Sequence, residues 1–264
     1  DGVLRTRLSE PDGTRVPVER LARELLTALD RTAPPGADED DLTEALRTAL
    51  ADRRVLLLLD AVADAEQVDA LLPDTPDCLA VAVAEGPLTG IADVRPCTLG
   101  GLDTKSAVEL LSRHTGSVRI TVDPRAAEQL VELCQAQPAA LTLAGGWLAA
   151  RPQAAVADLA KHVHAESDES GALGRVFGLV YASLPSTAAR MLRLLSLAPA
   201  GLVDPHTASA LAGCSVSGAR TTLDGFVAHG LLRAVDSALP EYEVPGCLHG
   251  RLSALARRHD RPAE

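Results

Sequence analysis

Arg53 and Arg54 are followed by five consecutive aliphatic residues, Val55 to Leu59, and then by Asp60. A half-solvated strand would alternate apolar and polar residues, so this run reads as a strand buried on both faces of a parallel sheet. Such strands are joined by crossing helices, which commits this part of the chain to α/β architecture. Ligands of open parallel sheets sit outside the carboxyl ends of the strands. Asp60 falls there, where a carboxylate suits a Mg²⁺ ion beside bound phosphates.

The surrounding sequence supports strands alternating with helices. Val3 to Leu8 reads as a short strand, Pro11-Asp12-Gly13 as a turn, and the leucines from Pro17 to Leu29 as a helix started by its proline. Pro34-Pro35-Gly36 breaks the chain. Asp38, Glu39, Asp40 and Asp41 then open a helix running to about Ala51, where carboxylates suit the positive end of the helix dipole; a solvated cap is the commoner use of such a cluster than catalysis. After the 55–59 strand come a helix from Ala65 to Leu72, a strand from Cys78 to Val83 and a weaker third strand from Val94 to Leu99. Beyond residue 100 the texture turns helical: Asp103 to His114, Pro124 to Gln135, Ala139 to Ala150 and Val156 to Val163. The polar stretch Glu166 to Gly171 reads as a linker. Past it lie helices at Leu173–Leu184, Ser186–Leu197, Pro205–Leu211 and Ser217–His229. Candidate strands follow at Gly230–Val235 and Tyr242–Val244 around a turn from Asp236 to Pro240, then a last helix, Gly250 to His259. Helices followed by a β-hairpin form a winged helix-turn-helix pattern.

At 264 residues the chain exceeds the usual size of a single core, so two or three domains are expected. Residues 1–100 form the α/β domain, 101–168 a small helical domain and 169–264 the winged-helix domain. Hydrophobic residues make up 47% but aromatics only 2%, which implies cores of Ala, Leu and Val. The net charge of −11 opposes non-specific attraction to nucleic acid or anionic membrane. Cys78, Cys97, Cys134, Cys214 and Cys247 are far apart and flanked by apolar residues, and are expected to be buried thiols in a reducing compartment. His162 and His164, two apart, do not face each other on a helix, and no thiol or carboxylate cluster joins them, so no metal site is expected. With no stretch of 18 apolar residues and no signal pattern, the expected location is the cytoplasm, away from membranes.

The phosphate-cradling loop that should accompany an acidic strand end, Gly-x-x-x-x-Gly-Lys-Ser/Thr, is absent from these residues. Gly100-Gly101-Leu102-Asp103-Thr104-Lys105-Ser106 comes nearest. Thr104 stands where the loop requires Gly before the Lys, and Leu99 stands at the first Gly position, so Asp103 or Thr104 as a helix N-cap is the better reading.

Features in fixed order resemble the NB-ARC regulatory ATPases of the STAND class, in the form common in actinobacterial multidomain transcriptional regulators. Asp1 to Leu4 resembles the start of the family's second strand, and Leu50 through Pro73 its Walker B block with the following Ala-Asp-x-x-Gln-Val segment. Leu133 to Leu141 is similar to its Cys-x-x-Leu-Pro-Leu-Ala-Leu helix start, of which Pro138 is kept. Tyr181-Ala182-Ser183-Leu184-Pro185, with Arg190 and Leu194 to Leu197, resembles the opening of its winged-helix domain, and Leu223 through Leu232 its Leu-x-x-Leu-x-x-x-x-Leu-Leu segment. The resemblance implies a P-loop-NTPase-like sheet domain, a helical arm and a winged helix, bridged in the family by ADP.

The departures fall at the nucleotide. The family's P-loop lies just before the strand that opens this sequence, so it is expected to be deleted or to belong to sequence outside these residues. Ala61 replaces the family's second acid or Asn. Val83-Ala84-Glu85 stands where a Thr-Ser-Arg sensor usually faces phosphate, and Val244-Pro245-Gly246 aligns with the Met-His-Asp-type motif. The resemblance therefore implies a vestigial nucleotide site marked by Asp60, Glu85 and Pro138, with no catalytic residue and no metal. The expected function is a regulatory module, part of a transcriptional regulator, acting by protein interaction without ATP hydrolysis. No cofactor is expected unless a P-loop is supplied from outside, in which case ADP or Mg-ATP would bind and the chain would be a true switch. Partners are expected to be a protein or other domains of a larger regulator. Direct DNA binding is a further alternative, but the candidate reading helix, Ser217 to Phe226, offers one Arg and one Asp.

Overall fold

The apolar run becomes β2 (Val55–Val62), the central strand of a three-stranded parallel sheet. The computed structural model describes residues 2–10, 13–165, 171–198, 201–236 and 239–259. They divide into two units, residues 1–97 and 98–264.

The first unit runs β1 (Gly2–Arg7), α1 (Val18–Ala28), α2 (Glu39–Leu50), β2, α3 (Ala65–Leu71) and β3 (Leu79–Ala84). Strand order follows chain order, β1-β2-β3, with Val3 paired to Leu56 and Leu56 to Leu79. Right-handed crossovers between strands added always on the same side put every helix on one face. Val55, Leu57 and Leu59 accordingly share a buried core with Leu21 and Leu25 of α1, Leu42 and Leu46 of α2 and Val68 of α3. The helices start where short polar side chains can cap them: Asp38 accepts from the Asp41 amide and Asp64 from the Gln67 amide. The acids at 38–41 are thus a cap and the first turn of α2.

The opposite face is open, which corrects the expectation of two-sided burial. Val3 is 62% exposed, Leu79 63%, Val81 41% and Val83 54%, while Leu56 and Leu58 between them are half-buried. The aliphatic run has two apolar faces, but one side of the sheet alone is covered by helices among the described residues.

The second unit comprises α4 (Thr104–Thr115), α5 (Ser117–Val122), α6 (Pro124–Leu133), α7 (Pro138–Ala149), α8 (Val156–Ala165), α9 (Gly171–Ala182) and α10 (Ser186–Leu194), then a 3-10 turn at Leu195–Leu197. β4 (Leu202–Val203), α11 (Pro205–Ala212), α12 (Val216–Ala228), β5 (Arg233–Val235), β6 (Glu241–Glu243) and α13 (Gly246–His259) follow. β4, β6 and β5 form a small antiparallel sheet in that spatial order. One core runs through the unit from Ala107 to Leu252. α7 lies within it, apolar on all sides, with Leu141, Ala144 and Leu148 fully buried.

Several expectations are corrected. Val94 to Leu99 forms no strand; Val94 and Leu99 are exposed and no neighbouring strand receives them. Gly230 to Leu232 is turn, with Gly230 at φ +73°, and α13 begins four residues earlier than Gly250. α5 and β4 had no sequence signal. Cys134 is buried as expected and its thiol is pushed up to about 12 by that burial, but Cys97, Cys214 and Cys247 are exposed and Cys78 is half-buried. The turn residues Pro11 and Asp12, most of the linker at 166–170 and residues 237–238 of the hairpin turn lie outside the described residues. No helix among the described residues is long and apolar enough to cross a membrane.

Candidate functional site

β2 carries Asp60 to the carboxyl edge of the sheet, beside Arg7 in register. The strand does not continue smoothly from there. Ala61 sits at φ +50° and the register to β3 slips between Leu59 and Val62, a bulge that re-aims the chain at this edge. The bulge turns the Ala61 amide back onto its neighbour, donating to Asp60 Oδ1 at 2.9 Å. Arg5 of β1 donates from Nη2 to Asp60 Oδ2 at 2.9 Å. Both carboxylate oxygens are therefore engaged within the protein, one by an ion pair and one by a backbone donor.

The loop after β1 closes on itself through the Ser9–Arg15 bridge and is pinned to α3: Gln67 Nε2 donates to the Leu8 and Val16 carbonyls at 3.0 and 2.8 Å, and Arg15 pairs with Asp64 at 3.1 Å. The Arg15 guanidinium also reaches Glu66 at 4.0 Å. Gln67 is fully buried, and its Oε1 has no partner among the described residues. Glu85 follows β3 and is exposed, and no hydrogen bond or ion pair joins it to Asp60 among the described residues. No group of three or more His, Cys, Asp or Glu side chains among them could hold a metal ion.

Pro138 belongs to the second unit, where it opens α7 at the first turn, exposed, in the position where a missing amide leaves nothing unpaired. The turn before it is the unusual part. Gln135 and Ala136 are consecutive non-glycine residues at φ +53° and +50°. The Ala136 carbonyl accepts from the Leu102 amide at 2.9 Å, and a Cβ on Gly101 would lie 2.5 Å from the Gln135 carbonyl oxygen. Gly101 thus permits a close backbone approach. Asp103 caps α4, taking the Ser106 amide at 3.1 Å and its hydroxyl at 2.6 Å, and these bonds, the hydroxyl first, hold its carboxyl below the usual range. In the P-loop near miss, Gly101 is thus a packing contact and Lys105-Ser106 a helix start.

Sequence reasoning missed Arg5, Arg15 and the role of Gln67. Arg5 was visible only as an exposed residue of an alternating strand; its partner is distant in sequence.

The fold and its edge define a class: an α/β unit on a parallel sheet with an acidic residue at the carboxyl edge, followed in sequence by a helical unit with a small antiparallel sheet. In sequence, the chain is 32% identical over 255 residues to the regulatory protein AfsR of Streptomyces griseus and 31% identical over 207 residues to AfsR of Streptomyces coelicolor, matches that cover 93% and 76% of this chain. It spans 25% and 20% of the length of those two relatives. No protein-family model matches it. Among solved structures it is similar to the ORC2 protein of Aeropyrum pernix, at 12% identity and a TM-score of 0.33, covering 98% of this chain and 79% of that one, a likeness too distant to carry an argument.

Proposed function

We propose that this chain is a regulatory module derived from an NB-ARC-type nucleotide switch, that it works within a transcriptional regulator in the cytoplasm through protein contacts, and that it does so without hydrolysing ATP. The observation that carries this reading is the engagement of Asp60, whose two oxygens are held by Arg5 and the Ala61 amide where a metal-binding carboxylate would have to be open to its ion. The likeness to proteins named as regulatory supports the regulatory half. On this reading residues 1–100 are the degenerate sheet domain, 101–168 the helical arm and 169–264 a winged helix, with α11 and α12 as its helix pair and β5–β6 as its wing. Asp60, Glu85 and Pro138 mark ancestry, and no cofactor is held unless a phosphate loop is supplied from outside these residues.

Calorimetric titration with Mg-ATP and with ADP tests this. No saturable heat is expected. Micromolar affinity that disappears in Asp60→Asn would overturn the reading in favour of a working switch.

A further inference from the structure

Two glycines of the second unit answer each other. Gly146 lies one turn beyond Thr142 on α7, and Gly230 follows His229 at the corner between α12 and β5. A Cβ on Gly146 would lie 2.5 Å from both the carbonyl carbon and the carbonyl oxygen of His229. A Cβ on Gly230 would lie 2.8 Å from Thr142 Cγ2 and 3.0 Å from the Thr142 carbonyl oxygen. Each side thus supplies a glycine where the other brings its backbone.

Neither glycine is explained by its own element alone. Glycine weakens a helix interior, because it loses the most backbone freedom on ordering, and Gly146 sits inside α7. Gly230 has a local reason, a φ of +73° in the left-handed turn that ends a helix. Yet Gly213 ends α11 in the same conformation with nothing within 4 Å of its would-be Cβ, so the close approach at Gly230 is not a by-product of the turn.

This contact joins the helices α4–α8 to the part that runs from α9 to α13. A second tie crosses the same division: Arg175 of α9 donates from Nη2 to the Leu133 carbonyl at the end of α6, at 3.1 Å. Val176 and Phe177 of α9 also share one core with Leu141 and Leu148 of α7. Close-packed interiors transmit strain and do not absorb it. At the two glycines no long side chain stands between the backbones to give way.

We infer that α4–α8 and α9–α13 form one rigid body closed by this reciprocal interlock, so that a displacement imposed on either part is carried to the other with no hinge between them. Nucleotide titration does not bear on the interlock, so it and the function proposed above can fail separately.

The test is urea unfolding of the 264-residue chain, followed by two probes. Trp147, the chain's one tryptophan, reports α7 by its fluorescence. A dye on exposed Cys214, in the turn between α11 and α12, reports the other part by its anisotropy, with Cys78, Cys97 and Cys247 replaced by serine and Cys134 left buried. In this parent the two curves should coincide. Gly146→Ala and Gly230→Ala should each move both curves to lower urea by the same amount. Gly178→Ala, inside α9 with nothing within 4 Å, and Gly213→Ala give the shifts due to helix propensity and to the left-handed turn alone, and each interlock variant should exceed its control. Combined, Gly146→Ala and Gly230→Ala should shift the midpoint by less than their sum, because both break one contact, whereas the two controls should add. Thr142→Ser, which removes the methyl nearest Gly230, should recover part of the loss in Gly230→Ala. Separate curves in the parent overturn the inference, and they decide it if a variant does not fold. Interlock variants no more costly than their controls, or additive in combination, overturn it as well.

Discussion

Asp204 is the plainest case of one side chain fixing a local structure. Its Oδ1 accepts from the His206 and Thr207 amides at 2.7 and 3.1 Å, and its Oδ2 takes the Thr207 hydroxyl at 2.6 Å, starting α11. The Thr207 hydroxyl, then the two amides, stabilise the charged form and lower the carboxyl below its ordinary value. A depressed folded value means the contribution is complete above the unfolded value of about 3.9 and fades as pH falls through the folded one. Asp204→Ala should therefore cost about 1 kcal/mol at pH 7, and the gap from wild type should narrow as pH drops below about 3.9. Urea midpoints across that range read it; a gap that widens on acidification would contradict the cap. Such caps were legible, since Asp or Ser before an apolar run announces itself. Arg119 was not. It donates to the carbonyls of Leu148 and Arg151 at 2.6 and 2.8 Å and to that of Ala154, closing the end of α7, and a guanidinium whose partners are distant backbone oxygens leaves no pattern to read.

At the scale of elements, α7 shows why helices were easy to find and their packing hard. Its apolar Leu and Ala residues mark a helix, but nothing in Gly145-Gly146 says which neighbours come close. A Cβ on Gly145 would lie 2.6 Å from that of His114 on α4, and one on Gly146 would lie 2.5 Å from the His229 carbonyl at the end of α12. Alanine is worth up to about 1 kcal/mol over glycine inside a helix. Against backbone that gain loses to overpacking, typically 1–3 kcal/mol. Gly146→Ala should lower stability, whereas Gly178→Ala in α9, with nothing within 4 Å, should raise it. Opposite shifts in denaturation midpoint are expected; a stabilising Gly146→Ala would mean that α12 does not rest on α7. The strands were less legible. β2 declared itself by five aliphatics, but the two-residue β4 is too short to show a period, and Val94–Leu99 offered apolar residues without a neighbour to pair with. At the site, the acidic strand end was readable because it is local, and its neutralisation by Arg5 was not, because it depends on strand register.

For the whole molecule, charge is the deciding quantity. A net −11 must be overcome locally before DNA is held, and α12 contributes Arg220, which lies against the Tyr242 hydroxyl that also donates to Asp224 at 2.6 Å. A mobility-shift assay at physiological salt with pooled genomic fragments should show no retention; sequence-specific retention lost in Arg220→Ala would place the protein among DNA readers. One further consequence follows from the succession β1-β2-β3. The loop between Val62 and Leu79 is about a third as long as that between Arg7 and Val55, so closing it costs about 1 kcal/mol less in chain entropy. By chain entropy alone, pairing of β2 with β3 is thus the cheaper closure. Although β1 comes first in the sequence, it is the strand whose pairing carries the larger cost.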